Sequence, residues 1–190
     1  MKRPLLVFED VGPASRRRLF EWLGVTFMAT RYAVLSPLFW IGLGLATAFA
    51  SHPAAALGGV FPAGLGYGVL LMTCNTLHTL GHILAGRIMG APMQANLLTS
   101  TRDVNIYTSP SPHTPPHIRI VRALGGPFAN LSIGIVALGA AKAAGIDLLI
   151  VFGWMNIAIG LWTLLPIPTL DGSTILRQLL RNINGRAART

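Results

Sequence analysis

Residues 63–86 read AGLGYGVLLMTCNTLHTLGHILAG, a run without Asp, Glu, Lys or Arg. It exceeds the roughly 20 apolar residues that cross a bilayer as a helix. It also carries two histidines, His78 and His82, one turn apart. Residues four apart on a helix project from the same face, as two ligands of one metal ion must. Polar groups at membrane depth are costly and generally functional. The plainer alternative is a pair of imidazoles hydrogen-bonded to neighbouring helices. Cys74 shares the face and is a weaker ligand candidate, read more simply as a small buried apolar residue.

The rest of the chain has the same character. Of 190 residues, 52% are apolar and 11% charged, with mean hydropathy +0.58. Soluble domains are about 25% charged, so the composition points to an all-α integral membrane protein. Four spans can be drawn, near residues 33–50, 63–86, 123–141 and 148–165. The net charge of +9 does not indicate nucleic acid, because the Arg residues lie between apolar runs rather than along one aromatic-lined stripe. Lys2, Arg3, Arg16, Arg17, Arg18 and Arg31 precede the first span. Arg87, Arg102, Arg119 and Arg122 lie between the second and third, and Arg177, Arg181, Arg186 and Arg189 follow the fourth. Only Lys142 falls in the opposite loops. The positive-inside rule then places both termini in the cytoplasm, with the Arg-rich ends attracted to anionic lipid.

Three segments frame this core. Residues 1–32 read as a cytoplasmic segment in which Ser15–Met28 forms an interfacial helix or extends the first span. The charged start lacks the form of a cleavable signal peptide. Residues 91–118, rich in Pro, read as a cytoplasmic loop holding a small β-hairpin around Val104–Tyr107. In that loop His113 and His117 repeat the i, i+4 spacing, but Pro115-Pro116 excludes a helix joining them, and a solvated loop is expected. Residues 182–190 form a basic cytoplasmic tail, which leaves 33–181 as the membrane core. Gly86 and Gly90 are expected to ease helix packing. The single cysteine excludes an intrachain disulfide.

Far downstream stands Leu165-Pro166-Ile167-Pro168-Thr169-Leu170-Asp171-Gly172. Pro166 and Pro168 end the fourth helix, and a new helix is expected over Ser173–Arg181. Antiparallel second and fourth spans would return Asp171 to the His pair. Two imidazoles and one carboxylate form a catalytic zinc set with a fourth position open. Taken alone, Asp171 reads better as a helix N-cap.

At this point the residues match a family. The chain resembles the site-2 proteases, intramembrane zinc metalloproteases that cut transmembrane segments of membrane-anchored regulators. That family carries a His-Glu-x-x-His helix, a Gly-Pro-x-x-Asn segment and an Asn-x-x-Pro-x-Pro-x-x-Asp-Gly segment. Here Gly126, Pro127 and Asn130 match the second motif in full. The third is matched by Pro166, Pro168, Asp171 and Gly172, with Thr163 in place of its Asn. The resemblance covers roughly residues 63–181. It implies a site-2 protease core of about four transmembrane helices, one zinc ion held by His78, His82 and Asp171, and a hairpin-bearing loop near the substrate's entry. A bacterial-type inner or cell membrane is the implied location.

Two departures bear on function. Thr79 stands where the family has the Glu that takes a proton from the attacking water, and Thr163 stands at a position associated with substrate engagement. A general base contributes roughly 10²–10⁴ in rate. Of the six acids only Asp103 could be considered a substitute. The expectation is an intramembrane metallopeptidase homologue that acts on or binds transmembrane segments, with impaired proteolysis. The alternative is a non-catalytic membrane binding or regulatory protein. A metal transporter would need a second set of intramembrane ligands, and haem cannot be held between two His of one helix.

Overall fold

The computed structural model describes residues 10–53, 57–107 and 114–187, with side chains through Arg181. The chain divides into two compact units, Met1–Thr76 with Ala95–Asn105, and Leu77–Gln94 with Ile106–Thr190.

In the first unit, helix α1 (Ser36–Ser51) follows a 3-10 turn at Ala33–Leu35 and has Pro37 in its first turn, where a missing N–H costs nothing. Helix α2 (Leu57–Ile88) begins here and continues into the second unit. Where α1 and α2 cross, glycines remove the side chains. A Cβ on Gly44 would run into the backbone of Gly64 and Gly68, and one on Gly68 would lie 2.8 Å from Ile41 Cα. Small residues four apart let apolar helices approach without a hydrophobic driving force, as membrane helices must. The outward faces stay apolar: Leu38 and Val69 are 65% and 59% exposed.

A four-stranded sheet, in the order β1-β2-β3-β4, completes this unit; the last two strands run on into the second. The strands are β1 (Arg17–Trp22), β2 (Val25–Ala29), β3 (Met93–Leu98) and β4 (Asp103–Tyr107). β1 and β2 pair antiparallel, whereas β2 and β3 run parallel with Thr26 opposite Ala95 and Ala29 opposite Leu98. The interfacial helix expected over Ser15–Met28 is therefore a β-hairpin. Leu23 and Gly24 both have positive φ, 49° and 58°, the backbone of a two-residue hairpin turn. Val25, Thr26 and Phe27 are strong strand formers, and the rings of Phe20 and Phe27 stack across the pair at 4.8 Å. The apolar residues that suggested a helix face are explained by this pairing. The small hairpin expected near Val104–Tyr107 is present as β3–β4, but as half of a larger mixed sheet, so the fold is mostly helical rather than all-α.

In the second unit, helix α3 (Pro116–Ala144) turns at Gly145, which has φ +68°, into helix α4 (Asp147–Thr163). The helix starts earlier than expected: Pro116 occupies its first turn, so His117 is helical, while His113 lies outside the described residues. α3 and α4 pack through small residues. A Cβ on Gly134 would meet Gly153 O at 2.8 Å, and one on Gly160 would meet Pro127 O at 3.1 Å. Helix α5 (Asp171–Ala187) follows the Pro-x-Pro turn.

Among the described residues, three helices, Ala33–Ser51, Leu57–Ile88 and Pro116–Ala144, are long and apolar enough to cross a membrane. The fourth expected span is the apolar α4, whose 17 residues reach only about 25 Å at 1.5 Å per residue, against a hydrocarbon core of about 30 Å.

Candidate metal centre

Each part of the centre belongs to the second unit. His78 and His82 project from α2, buried at 9% and 3% exposure. Asp171 opens α5. It is delivered there because α4 stops at Thr163 and the chain turns through Pro166 and Pro168. Thr169 takes φ 75°, a conformation that strains a β-branched residue. Gly172 is required next: any Cβ would strike the backbone carbonyl of Leu164. Ser173, whose hydroxyl donates to Leu170 O at 2.8 Å, tightens the same turn.

Three ligand atoms converge. His78 Nε2 and His82 Nε2 are 3.0 Å apart, and Asp171 Oδ2 lies 3.1 Å from the first and 3.4 Å from the second. Among the described residues this is the group of His, Cys, Asp and Glu that could hold a metal ion. The other nitrogen of each imidazole is engaged. His82 Nδ1 donates to Arg122 O at 2.8 Å, and His78 Nδ1 donates to Asn130 Oδ1 at 2.7 Å. With Nδ1 protonated in both rings, both Nε2 atoms present lone pairs to each other and to a carboxylate. Three acceptors at such distances repel unless a cation or a proton donor lies among them. Outer partners that fix the tautomer in this way are typical of His ligands to metal, and a two-His, one-carboxylate set fits Zn²⁺.

Gly126 makes room for the rings. A Cβ there would lie 2.5 Å from both Nε2 atoms. At the same crossing, Gly81 on α2 meets Gly125 on α3 so closely that a Cβ on either would run into the other's backbone.

The remaining sequence candidates fall as follows. Thr79 is 6% exposed, on α2 directly after His78. Thr163 donates to Gly160 O at 3.1 Å, closing the last turn of α4. Asp103 accepts from Asn75 Nδ2 at 3.1 Å, within the first unit. Cys74 is fully buried. Gly86 serves the turn after α2, where a Cβ would meet Ala91 O at 3.1 Å, and Gly90 has φ +63°; neither lies at a helix crossing.

Sequence reading missed several participants. Arg122 supplies the carbonyl for His82, while its guanidinium sits 3.2 Å from the centroid of the Tyr107 ring, a cation–π contact. Asn156 on α4 accepts from Asn130 Nδ2 at 2.8 Å. A polar residue in the middle of the apolar run 147–163 was the available signal for Asn156. For Arg122 there was none, because it acts through its backbone.

Residues 132–190 match Peptidase family M50. The matched stretch holds Thr163, Pro166, Pro168, Asp171 and Gly172 and begins after the two His ligand candidates. Among solved structures, the chain is similar to "Site-2 Protease from Methanocaldococcus jannaschii". The identity is 22% and the TM-score 0.61, over 88% of this chain and 72% of that one. At that identity the likeness is one of fold. No curated protein matches the chain in sequence.

Proposed function

We propose that the chain is a site-2 protease-like intramembrane metallopeptidase homologue that holds one zinc ion with His78, His82 and Asp171. Its partner is a transmembrane segment of another membrane protein, and its own proteolysis is impaired. The observation that carries the reading is the convergence of two Nε2 atoms and one carboxylate oxygen within 3.4 Å, with both Nδ1 atoms already committed.

Zinc bound there would polarise a peptide carbonyl and acidify a water molecule. The chain's own residues do the rest. His78 and His82 present neutral lone pairs, held by Asn130 and by Arg122 O. Asp171 adds the negative charge. Gly126 keeps the ring edges clear. Thr79 takes the position after the first ligand, where the family's general base stands. Its hydroxyl can hydrogen-bond but cannot take a proton near neutral pH. A missing base removes about 10²–10⁴ in rate, or about 3–5 kcal/mol of barrier. The same residues support a second reading, a binding or regulatory protein that grips a transmembrane partner without cutting it, and only turnover separates the two. The one-sided arginines favour both termini in the cytoplasm.

The test combines metal content with turnover on the purified full chain. One zinc per chain is expected, falling on His82→Ala and on Asp171→Ala; a zinc-free wild type at saturating supply would sink the metal assignment. Cleavage of a model transmembrane substrate should be near zero in wild type and rise in Thr79→Glu, further with Thr163→Asn. Robust chelator-sensitive cleavage by the unmodified chain would refute impairment. No cleavage by any form would favour the binding reading.

A further inference from the structure

The Phe152 carbonyl oxygen can only accept a hydrogen bond. It receives Asn156 Nδ2 at 2.9 Å, which leaves Asn156 Oδ1 to face Asn130 Nδ2 at 2.8 Å. Asn130 must then present its own Oδ1 to His78, and at 2.7 Å that oxygen requires a proton on His78 Nδ1. An amide has two orientations of nearly equal shape, and without an outside constraint Asn130 could present either end to the ring. Its NH₂ end would call for a lone pair on Nδ1 and drive the proton to Nε2, the atom facing His82 and Asp171. Asn130 and Asn156 are both fully buried, so no bulk water can substitute for a lost partner.

We propose that Asn156 is a positioning residue: it reads the fixed polarity of the Phe152 carbonyl, sets the amide of Asn130, and thereby holds His78 in the Nδ1–H tautomer with its Nε2 lone pair directed into the metal centre. The inference deepens the zinc reading and rests on it for function, but the tautomer itself is a property of the metal-free chain. It also predicts an asymmetry. His82 Nδ1 faces the backbone carbonyl of Arg122 directly, so its tautomer needs no relay and serves as an internal control.

The experiment uses the full chain in detergent with Asn156→Leu and Asn156→Asp. The leucine keeps volume and removes both hydrogen bonds. A buried aspartic acid in its neutral form still accepts from Asn130 and donates to Phe152 O, so it restores the polarity. Zinc affinity should fall about 10–100-fold in Asn156→Leu, the usual effect of losing an outer partner of a His ligand, and stay within about threefold of wild type in Asn156→Asp. Nitrogen-15 shifts of the imidazoles, measured without metal at mildly alkaline pH, should report Nδ1–H for His78 in wild type and in Asn156→Asp. Asn156→Leu should give a mixture, with His82 unchanged throughout. The inference is overturned if wild-type His78 is the Nε2–H tautomer, a result that needs no variant to fold. It is also overturned if Asn156→Leu keeps affinity and tautomer, or if Asn156→Asp loses as much as Asn156→Leu. A wild type that binds no zinc yet shows this tautomer pattern would uphold the relay and sink the metallopeptidase reading alone.

Discussion

Gly126 illustrates how far a single residue can decide a site without contributing an atom to it. The two imidazoles occupy the space where its Cβ would stand, 2.5 Å from each Nε2. A methyl there must push the rings aside or spread α2 from α3. Either movement takes the ligand atoms out of register with Asp171. Gly126→Ala should therefore lower zinc affinity by at least about tenfold, as displaced ligand geometry does elsewhere, while the helix content of the protein is retained. Equilibrium zinc competition alongside circular dichroism tests this; unchanged affinity would mean that the rings do not sit against Gly126. Thr79 is the opposite case. It is buried beside a ligand, and its identity alone, legible in the sequence, carries the expected loss of turnover.

Helix crossings made through glycine give the elements their spacing, and not all glycines share in this. On α3, a Cβ at Gly125 would lie 2.6 Å from Ala85 Cβ and closer still to Gly81 O, whereas one at Gly139 meets nothing within 4 Å. Gly125→Ala should thus destabilise by about 1–3 kcal/mol, the usual range for overpacking. Gly139→Ala should be neutral or stabilise by up to about 1 kcal/mol, because alanine is the better helix former. Thermal unfolding of the two variants in detergent compares them directly, and equal effects would contradict the crossing. Much at this scale was readable beforehand. Long apolar runs marked α1, α2 and α3, Pro166 and Pro168 marked the end of α4, and spacing marked His78 and His82 as one face. The β1–β2 hairpin was not, because Leu19, Phe20, Trp22 and Phe27 fit a helix face as readily as a strand pair. What separates the two is the turn at Leu23-Gly24, a weaker signal than Asn-Gly since leucine seldom adopts positive φ. The parallel pairing of β2 with β3 joins segments more than sixty residues apart, and no local pattern encodes it. The relay through Asn156 was hidden for a similar reason: its meaning depends on which helix lies opposite.

For the molecule as a whole, the apolar surface and the arginines have to agree. Leu38, Val69, Phe128 and Val136 are 65%, 59%, 70% and 70% exposed, which is anomalous against water and ordinary against lipid. Along the chain the arginines fall in alternate connections: Arg16, Arg17, Arg18 and Arg31 before α1, Arg102 between β3 and β4, Arg177 and Arg181 on α5. The α1–α2 and α3–α4 connections carry only Lys142, near the end of α3. If translocation follows that asymmetry, the strands and α5 face the cytoplasm and the two short connections face outward. This requires the 17-residue α4 to cross as well, aided by Leu164 and Leu165 beyond its end and by local thinning or tilt of neighbouring helices. Single cysteines introduced into a Cys74→Ala background provide the test. Thr101→Cys and Arg181→Cys should react with a membrane-impermeant thiol reagent only from the cytoplasmic side, and Ser51→Cys and Ala144→Cys only from the outside. If Arg181→Cys instead labels from outside while Thr101→Cys remains cytoplasmic, α4 does not cross. Asp171 would then have to approach His78 and His82 from the far side of the bilayer, which the 3.1 Å contact between His78 and Asp171 does not allow in a pair lying near the cytoplasmic end of α2.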